Sequence, residues 1–281
     1  LKYRGGKSKE IPQILPYIPN FNGRYIEPFF GGGAMYFHLE HNNAVINDIN
    51  APLMNFYRSV QQNFGALSEE LAGLEAIYNS NRAAFEAQKQ IHSDERVEGA
   101  NEPLYYHLRD MYNGLIPAEY SDAALYFYIN KIAYSGMIRY NARGEFNVPY
   151  GRYKYFNTGM ITEAHHNLLA NTEIHNGDYG QIFNLAMPED FIFLDPPYDC
   201  IFSDYGNEEY REGFNEANHR QLAQDYFNLG CRALMVIGAT PLTRELYGGH
   251  IITEYDKNYS VNIRNRFQAE AIHLLITNYE L

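Results

Sequence analysis

One run constrains this chain more than any other: Phe191-Ile192-Phe193-Leu194-Asp195-Pro196-Pro197-Tyr198. Four consecutive apolar residues leave neither face for water, so the segment predicts a strand buried on both sides, as in a parallel sheet covered by helices. The prolines then end the strand, because proline brings no N–H to the ladder. In open α/β sheets the functional groups gather just past the carboxyl ends of the strands, which is where Asp195 and Tyr198 would lie. A Pro-Pro turn alone is an ordinary strand stop. The carboxylate and the ring on either side of it single this one out.

The rest of the chain fits that beginning. Tyr25-Ile26-Glu27 reads as a strand, Gly31-Gly32-Gly33 as a turn, residues 34–40 as a helix and residues 44–48 as the next strand, with Pro52 tolerated in the first turn of the helix after it. That is a βαβ unit. From about 67 to 90 the apolar spacing is helical. Residues 92–103 are charged and broken by Gly and Pro, and further helices are expected over 104–112 and 122–133. Residues 135–156 are aromatic, basic and rich in turn formers, which suggests a long loop or hairpin. The α/β rhythm resumes near Ile161, with strands expected at 173–175, 191–194, 233–237, 251–253 and 271–277. The organisation read from this is one discontinuous α/β domain, residues 1–60 and 157–281, carrying a helical insertion at 61–156.

A chain of 281 residues, 46% hydrophobic, can bury such a core. No apolar stretch is long enough to span a bilayer, and no secretory signal is visible at the start. Cys200 and Cys231 fit a reducing, cytoplasmic setting without a disulfide framework. The net charge of -12 argues superficially against a nucleic-acid partner. Local charge matters more than the sum. Between Lys131 and Lys154 stand Lys131, Arg139, Arg143, Arg152 and Lys154 against Glu145 alone, and Lys2, Arg4, Lys7 and Lys9 precede Glu10. These two basic islands suggest one cationic face, although ordinary solvated charge could also produce them. His165-His166 has no accompanying ligand cluster and reads as a helix-surface pair, so no metal is expected.

The segment Glu27-Pro28-Phe29-Phe30-Gly31-Gly32-Gly33 joins a strand to a helix. Glycines permit close backbone approach to a ligand, and a helix N-terminus offers free N–H groups. Asp48 ends the following strand, where an acidic residue can accept from ribose hydroxyls. The pattern suits a nucleoside and does not distinguish one nucleoside cofactor from another.

Taken together, the motifs resemble those of the Dam-type, alpha-class D12 adenine N6 DNA methyltransferases. Asp195-Pro196-Pro197-Tyr198 resembles their catalytic tetrapeptide, and the Glu27 to Gly33 segment their cofactor motif. Lys2-Tyr3-Arg4-Gly5-Gly6-Lys7 is similar to their N-terminal motif, with Tyr3 in place of the usual Trp. Asn47-Asp48-Ile49-Asn50, Gly177-Asp178-Tyr179 and Ile276-Thr277-Asn278-Tyr279 also have counterparts. Arg139-Tyr140-Asn141 and the run from Gly144 to Tyr153 match the DNA-contacting hairpin, while residues from about 200 to 265 are divergent.

The resemblance implies a Rossmann-like, S-adenosylmethionine-dependent methyltransferase sheet with a helical target-recognition insertion and a DNA-contacting hairpin. It implies catalytic roles for Asp195, Pro196, Pro197 and Tyr198. It implies cofactor contacts from Tyr3, Arg4, Lys7, Glu27, Phe29, Gly31, Gly33, Asp48, Ile49, Asp178, Tyr179 and Asp195. For double-stranded DNA it implies Lys2, Lys131, Tyr134, Ser135, Met137, Arg139, Asn141, Asn147, Pro149, Arg152, Tyr153 and Lys154. Ser135 stands where Asn is common and Met137 is Leu-like. The implied reaction is transfer to N6 of an adenine flipped out of GATC, by a monomer, with a cognate restriction endonuclease as a possible companion. Two alternatives remain open at this point: a SAM- and DNA-binding protein that has lost catalysis, and a methyltransferase for a substrate other than DNA.

Overall fold

The computed structural model describes residues 1, 6–92, 97–198, 214–257 and 271–281. They form two compact units, one made of Leu1 and the described residues within Ala51–Ala170 and the other of the described residues within Gly5–Asn50 and Asn171–Leu281.

The second unit is built on a sheet. In chain order it contains α1 (Ile11–Ile14), β1 (Tyr25–Glu27), α2 (Tyr36–Leu39) and β2 (Ala44–Asp48). After the helical unit come β3 (Thr172–Asn176), α8 (Tyr179–Phe183), β4 (Phe191–Leu194), α9 (Glu216–Phe227), β5 (Arg232–Gly238), α10 (Pro241–Tyr247), β6 (Ile251–Lys257) and β7 (Ala271–Thr277). Among the described residues the sheet has seven strands in the order β3-β2-β1-β4-β5-β7-β6. The first five in that order run parallel, and β7 is antiparallel to both neighbours. Every residue of β1, β2 and β4 is buried, and these strands are apolar except at the carboxyl ends of β1 and β2, where Glu27, Asn47 and Asp48 stand. β3, at one edge, is only partly so. Side-chain caps start two of the covering helices, with Asn215 and Asn218 bonding reciprocally at α9 and Thr240 and Thr243 at α10.

The topology decides where a ligand can sit. From β1 the chain moves outward to β2 and β3 on one side, and returns to place β4 and β5 on the other. The strand order reverses between β1 and β4, and in open parallel sheets ligands bind beyond the carboxyl ends of the strands at such a reversal. Glu27 and Asp195 stand at the carboxyl ends of those two strands.

The first unit is helical, with α3 (Ala51–Gln62), α4 (Phe64–Ile91), α5 (Asn101–Tyr112), α6 (Asp122–Ile132) and α7 (Glu163–Ala170). α6 is buried almost all round and packs against α3, α4 and α5. Ser121 caps it by accepting from the N–H of Ala124 at 3.2 Å. α4 turns one stripe inward: Leu67, Leu71, Leu74 and Tyr78. This unit is wider than the insertion expected at 61–156. α3 follows β2 as a crossover helix would, but it packs on α6 and α7, with Phe56 stacked 5.7 Å from Phe127 and the Val60 carbonyl bonded to His166. No helix among the described residues is long and apolar enough to cross a membrane.

Candidate active site

The loop after β1 is held by the end of β2. The Phe30 N–H donates to the Asn47 carbonyl at 2.9 Å, and the Gly31 N–H to Asp48 Oδ2 at 2.8 Å. Asn47 Nδ2 reaches the Pro28 carbonyl at 3.0 Å and the Gly177 carbonyl at 2.9 Å. One amide side chain therefore ties the loops after β1 and β3 together. Gly31 and Gly33 have φ of 50° and 64°, a region that favours glycine, and a Cβ on Gly33 would stand 2.5 Å from the Phe30 ring. These turns consume the chain to Met35. α2 is thus a single turn, shorter than the expected 34–40 helix, and it ends where Glu40 turns left-handed at φ 50°. It supplies no helix N-terminus of useful length for an anion.

Burial shapes the electrostatics here. Glu27 is buried and accepts from Tyr25 OH at 2.9 Å. Burial pushes its carboxyl well above the usual carboxylate range, and the nearby Asp195 adds to this. Burial also pushes Asp48 up to about 6, against the opposing effect of the N–H groups of Asn50 and Gly31 that its oxygens accept. Asn50 donates to Asp48 Oδ1 at 2.9 Å. Ile49 beside it is half-buried.

Beyond β3, Asp178 caps α8, accepting from the Gly180 N–H at 2.8 Å. Asn176 Nδ2 donates to the carbonyls of Asp48 and Ile49 at 2.8 and 3.2 Å. The rings of Phe29 and Tyr179 lie 5.3 Å apart, and Tyr179 OH is fixed by Asp225 at 2.8 Å. Glu27, Phe29, Gly31, Gly33, Asp48, Ile49, Asp178 and Tyr179 are thereby linked through the ends of β1, β2 and β3.

At the end of β4, Asp195 Oδ1 accepts from Lys7 Nζ at 2.6 Å, and Lys7 Nζ also bonds Tyr198 OH at 2.6 Å. Tyr198 OH lies 3.4 Å from the same carboxylate oxygen. Pro196 is buried and Pro197 half-buried. The Tyr198 ring meets His273 of β7 edge-on, with centroids 5.0 Å apart. The charge count had put Lys7 in a basic surface island. Its side chain is 2% exposed and belongs to the Asp195–Tyr198 group instead. Lys2, Tyr3, Arg4 and Cys200 lie outside the described residues.

The hairpin segment belongs to the helical unit. Antiparallel bridges join Tyr140 to Phe146 and Ala133 to Tyr150, with Gly144 at φ 78° in the turn. Phe146 is buried, and Asn113 of the α5 C-cap holds it at both backbone groups, at 2.7 and 3.0 Å. Tyr105 OH donates to the Val148 carbonyl at 2.8 Å, and Tyr78 OH to the Tyr153 carbonyl at 2.6 Å. The Asn141 side chain spans the turn to Glu145 at 2.7 Å. These bonds leave Tyr134, Ser135, Arg139, Pro149, Arg152 and Lys154 exposed, and Lys131, Met137, Asn141, Asn147 and Tyr153 part-exposed. Arg139 Nε donates to Asn147 Oδ1 at 2.7 Å. Ser135 and Arg152 take left-handed backbone at φ 54° and 55°. His165 bonds Thr162 and His166 stacks on Phe64, so that pair shapes the start of α7.

Sequence reasoning missed Asn113, whose signal was only an Asn after a helix, and the buried Glu10–His273 pair, bonded at 2.6 Å. A histidine inside the apolar run of β7 was the available clue.

The profile of the D12 class N6 adenine-specific DNA methyltransferases matches residues 3–261. The type II methyltransferase M.CviBI of Paramecium bursaria Chlorella virus NC1A is 34% identical, over 99% of this chain and 98% of its own. The type II methyltransferase M.MjaIII of Methanocaldococcus jannaschii is 31% identical, over 99% and 98%. The DNA adenine methylase of Haemophilus influenzae is 27% identical, over 89% and 82%. With the strand order and the Asp195–Tyr198 group already in place, these matches mean that the chain belongs to the D12 class N6 adenine-specific DNA methyltransferase family.

Proposed function

We propose that this protein methylates N6 of adenine in GATC sites of double-stranded DNA, with S-adenosylmethionine as donor. The observation that carries this reading is the pairing of Asp195 and Tyr198 at the end of β4, next to the glycine loop of β1. The donor set suits that cofactor. The carboxyl groups of Glu27, Asp48 and Asp178 offer oxygen acceptors to a ligand bearing an ammonium group and ribose hydroxyls. The rings of Phe29 and Tyr179 offer flat apolar contact to an adenine. Asn47 Oδ1, buried and without a hydrogen-bond partner among the described residues, adds an acceptor at the same strand ends. When bound, S-adenosylmethionine supplies an activated methyl group on a sulfonium centre.

The chain's own residues do the rest. A base inside a duplex is out of reach, so the target adenine flips out at a cost of about a few kcal/mol. Tyr198 stacks on it. Asp195 and the Pro196 carbonyl accept hydrogen bonds from its N6 amino group, which favours a pyramidal nitrogen whose lone pair is free to act as nucleophile. Arg139 reads a guanine, with Tyr134, Met137, Pro149 and Tyr153 lining the read site; Lys2, outside the described residues, is assigned to that reading by the family resemblance alone. Lys131, Asn147, Arg152 and Lys154 contact phosphates or orient the hairpin. We infer further that the protein works as a monomer in a reducing, cytoplasmic setting, alone or beside a restriction endonuclease of the same specificity. The free thiol of Cys231, buried and pushed up to about 11 by burial, fits that setting.

Single-molecule sequencing of plasmid DNA after incubation with the protein and S-adenosylmethionine tests the reading. N6-methyladenine in GATC supports it in full. Methylation in another motif retains the chemistry and rejects GATC. Plasmid without methylated adenine rejects the activity.

A further inference from the structure

Lys7 is the one residue bonded to both Asp195 and Tyr198 among the described residues. Its side chain is 2% exposed, and taking an ammonium out of water costs several kcal/mol unless good partners replace the water. The partners here are specific. Nζ lies 2.6 Å from Asp195 Oδ1, 2.6 Å from Tyr198 OH and 5.0 Å from the centre of the Tyr198 ring. Asp195 Oδ2 takes no hydrogen bond among the described residues, so one oxygen of the carboxylate is held and the other is open.

The same turn secures the far side of the ring. The Glu10 and Ile11 N–H groups donate to the Lys7 carbonyl at 2.7 and 3.1 Å, which fixes the start of α1. Glu10 Oε2 bonds His273 Nδ1 at 2.6 Å and Tyr255 OH at 2.9 Å. The His273 ring in turn meets Tyr198 edge-on at 5.0 Å. Tyr198 is therefore gripped at its hydroxyl by Lys7 and along its ring by His273, and both grips are anchored in residues 7–10.

We propose that Lys7 is a positioning residue for methyl transfer: its ammonium locks Asp195 and Tyr198 in one relative geometry and leaves Asp195 Oδ2 to receive the target amino group. This rests on the proposed function and assigns Lys7 a task other than the cofactor contact that the family resemblance implies. Misplacement of reacting groups by about 1 Å can cost on the order of 100-fold in rate, so a lost clamp should be plainly visible.

The test compares Lys7→Met, Lys7→Ala and Lys7→Arg with the wild type. For Lys7→Met, single-turnover transfer at saturating cofactor should fall about 100-fold, with cofactor affinity by calorimetry within about threefold. Ethylammonium in the buffer should restore part of the rate to Lys7→Ala, an effect that a purely structural lysine would not give. If Lys7→Met does not fold, Lys7→Arg, which keeps the charge and changes the geometry, is read in the same way. A rate within about threefold of wild type overturns the proposal, as does a loss confined to cofactor affinity. A crystal structure of cofactor-free Lys7→Met decides independently of activity. Asp195 and Tyr198 should leave their present rotamers, and their remaining in place overturns the clamp. A wild type that methylates no adenine would defeat the proposed function, while this structural comparison would still judge the clamp.

Discussion

Asp48 Oδ2 accepts a hydrogen bond from the backbone N–H of Gly31 at 2.8 Å, so the last residue of β2 tethers the glycine loop that follows β1. Its other oxygen accepts from Asn50. An acidic residue expected to meet a ribose thus also builds the loop beside that ribose. Asp48→Ala leaves these buried N–H groups without an acceptor, at about 1–3 kcal/mol for each. It should weaken S-adenosylmethionine binding by roughly 10- to 100-fold. Asp48→Asn, which keeps one acceptor oxygen, should lose less. Unchanged affinity of the Ala variant in a calorimetric titration would remove Asp48 from the cofactor site.

The same carboxyl makes binding and stability respond to acid in opposite directions. Burial raises it to about 6, so below that pH the folded protein takes up a proton that the unfolded chain does not yet bind. Its contribution to stability therefore grows as pH falls through about 6 toward the ordinary carboxylate value, and is lost as pH rises again. Protonation also weakens an acceptor that Gly31 and Asn50 share and that the proposed cofactor contact uses. Cofactor affinity should drop between pH 7.5 and pH 5 (roughly one unit or more to either side of the raised value), while Asp48→Asn should show a flatter profile. Parallel profiles for the two proteins would assign the pH effect to another group.

In the proposed mechanism Asp195 acts chiefly on the chemistry rather than on cofactor binding. Asp195→Ala removes the acceptor for the target amino group and should reduce single-turnover transfer by at least about 100-fold, with much of the cofactor affinity kept. Transfer within about tenfold of wild type would exclude the proposed role.

How much of this was readable from residues follows their range of action. β4 announced itself as an unbroken apolar run, and β1 and β2 through the apolar residues that precede their polar carboxyl ends, as strands buried on both faces do. Gly31 and Gly33 did so because their backbone geometry excludes most other residues. Asp48 was legible as an acceptor, but not as the tether of Gly31, since that bond depends on how two neighbouring strands align. Lys7 looked like surface charge because a one-dimensional count cannot tell a buried ammonium from a solvated one, and its partners Asp195 and Tyr198 lie 188 and 191 residues away. α3 was assigned to the sheet by its place after β2, whereas its apolar face fits α6 and α7.

Asn113, which carried no motif, gives a prediction separate from the catalytic residues. It holds the N–H and the carbonyl of Phe146 and so seats the hairpin on α5. Asn113→Ala should cost about 1–3 kcal/mol of local stability, since both backbone groups are left without their partner. DNA affinity measured by fluorescence anisotropy should fall, with cofactor affinity unchanged. Equal DNA binding by variant and wild type would show that the hairpin does not depend on this anchor.

The last prediction separates two kinds of arginine on that hairpin. Arg139 is exposed and oriented: Nε donates to Asn147 Oδ1 at 2.7 Å and Nη2 to the Asn147 carbonyl at 3.3 Å. Among the described residues Nη1 has no partner. A guanidinium steadied along one edge in this way suits a bidentate contact to a guanine once it turns to a base. Arg152 is exposed, makes no hydrogen bond or ion pair among the described residues, and sits at a left-handed turn of φ 55°. That freedom suits a phosphate, which carries charge without sequence. Arg139→Ala should cost about 1–3 kcal/mol of discrimination at one guanine position of the site. Arg152→Ala should weaken binding to every duplex alike and lower the slope of log affinity against log salt by about one, because one fewer counterion is released. Titrations of GATC and of singly substituted duplexes at several salt concentrations measure both effects. If Arg139→Ala weakens all duplexes equally, Arg139 is not the base reader, and the GATC assignment loses the residue on which it most depends.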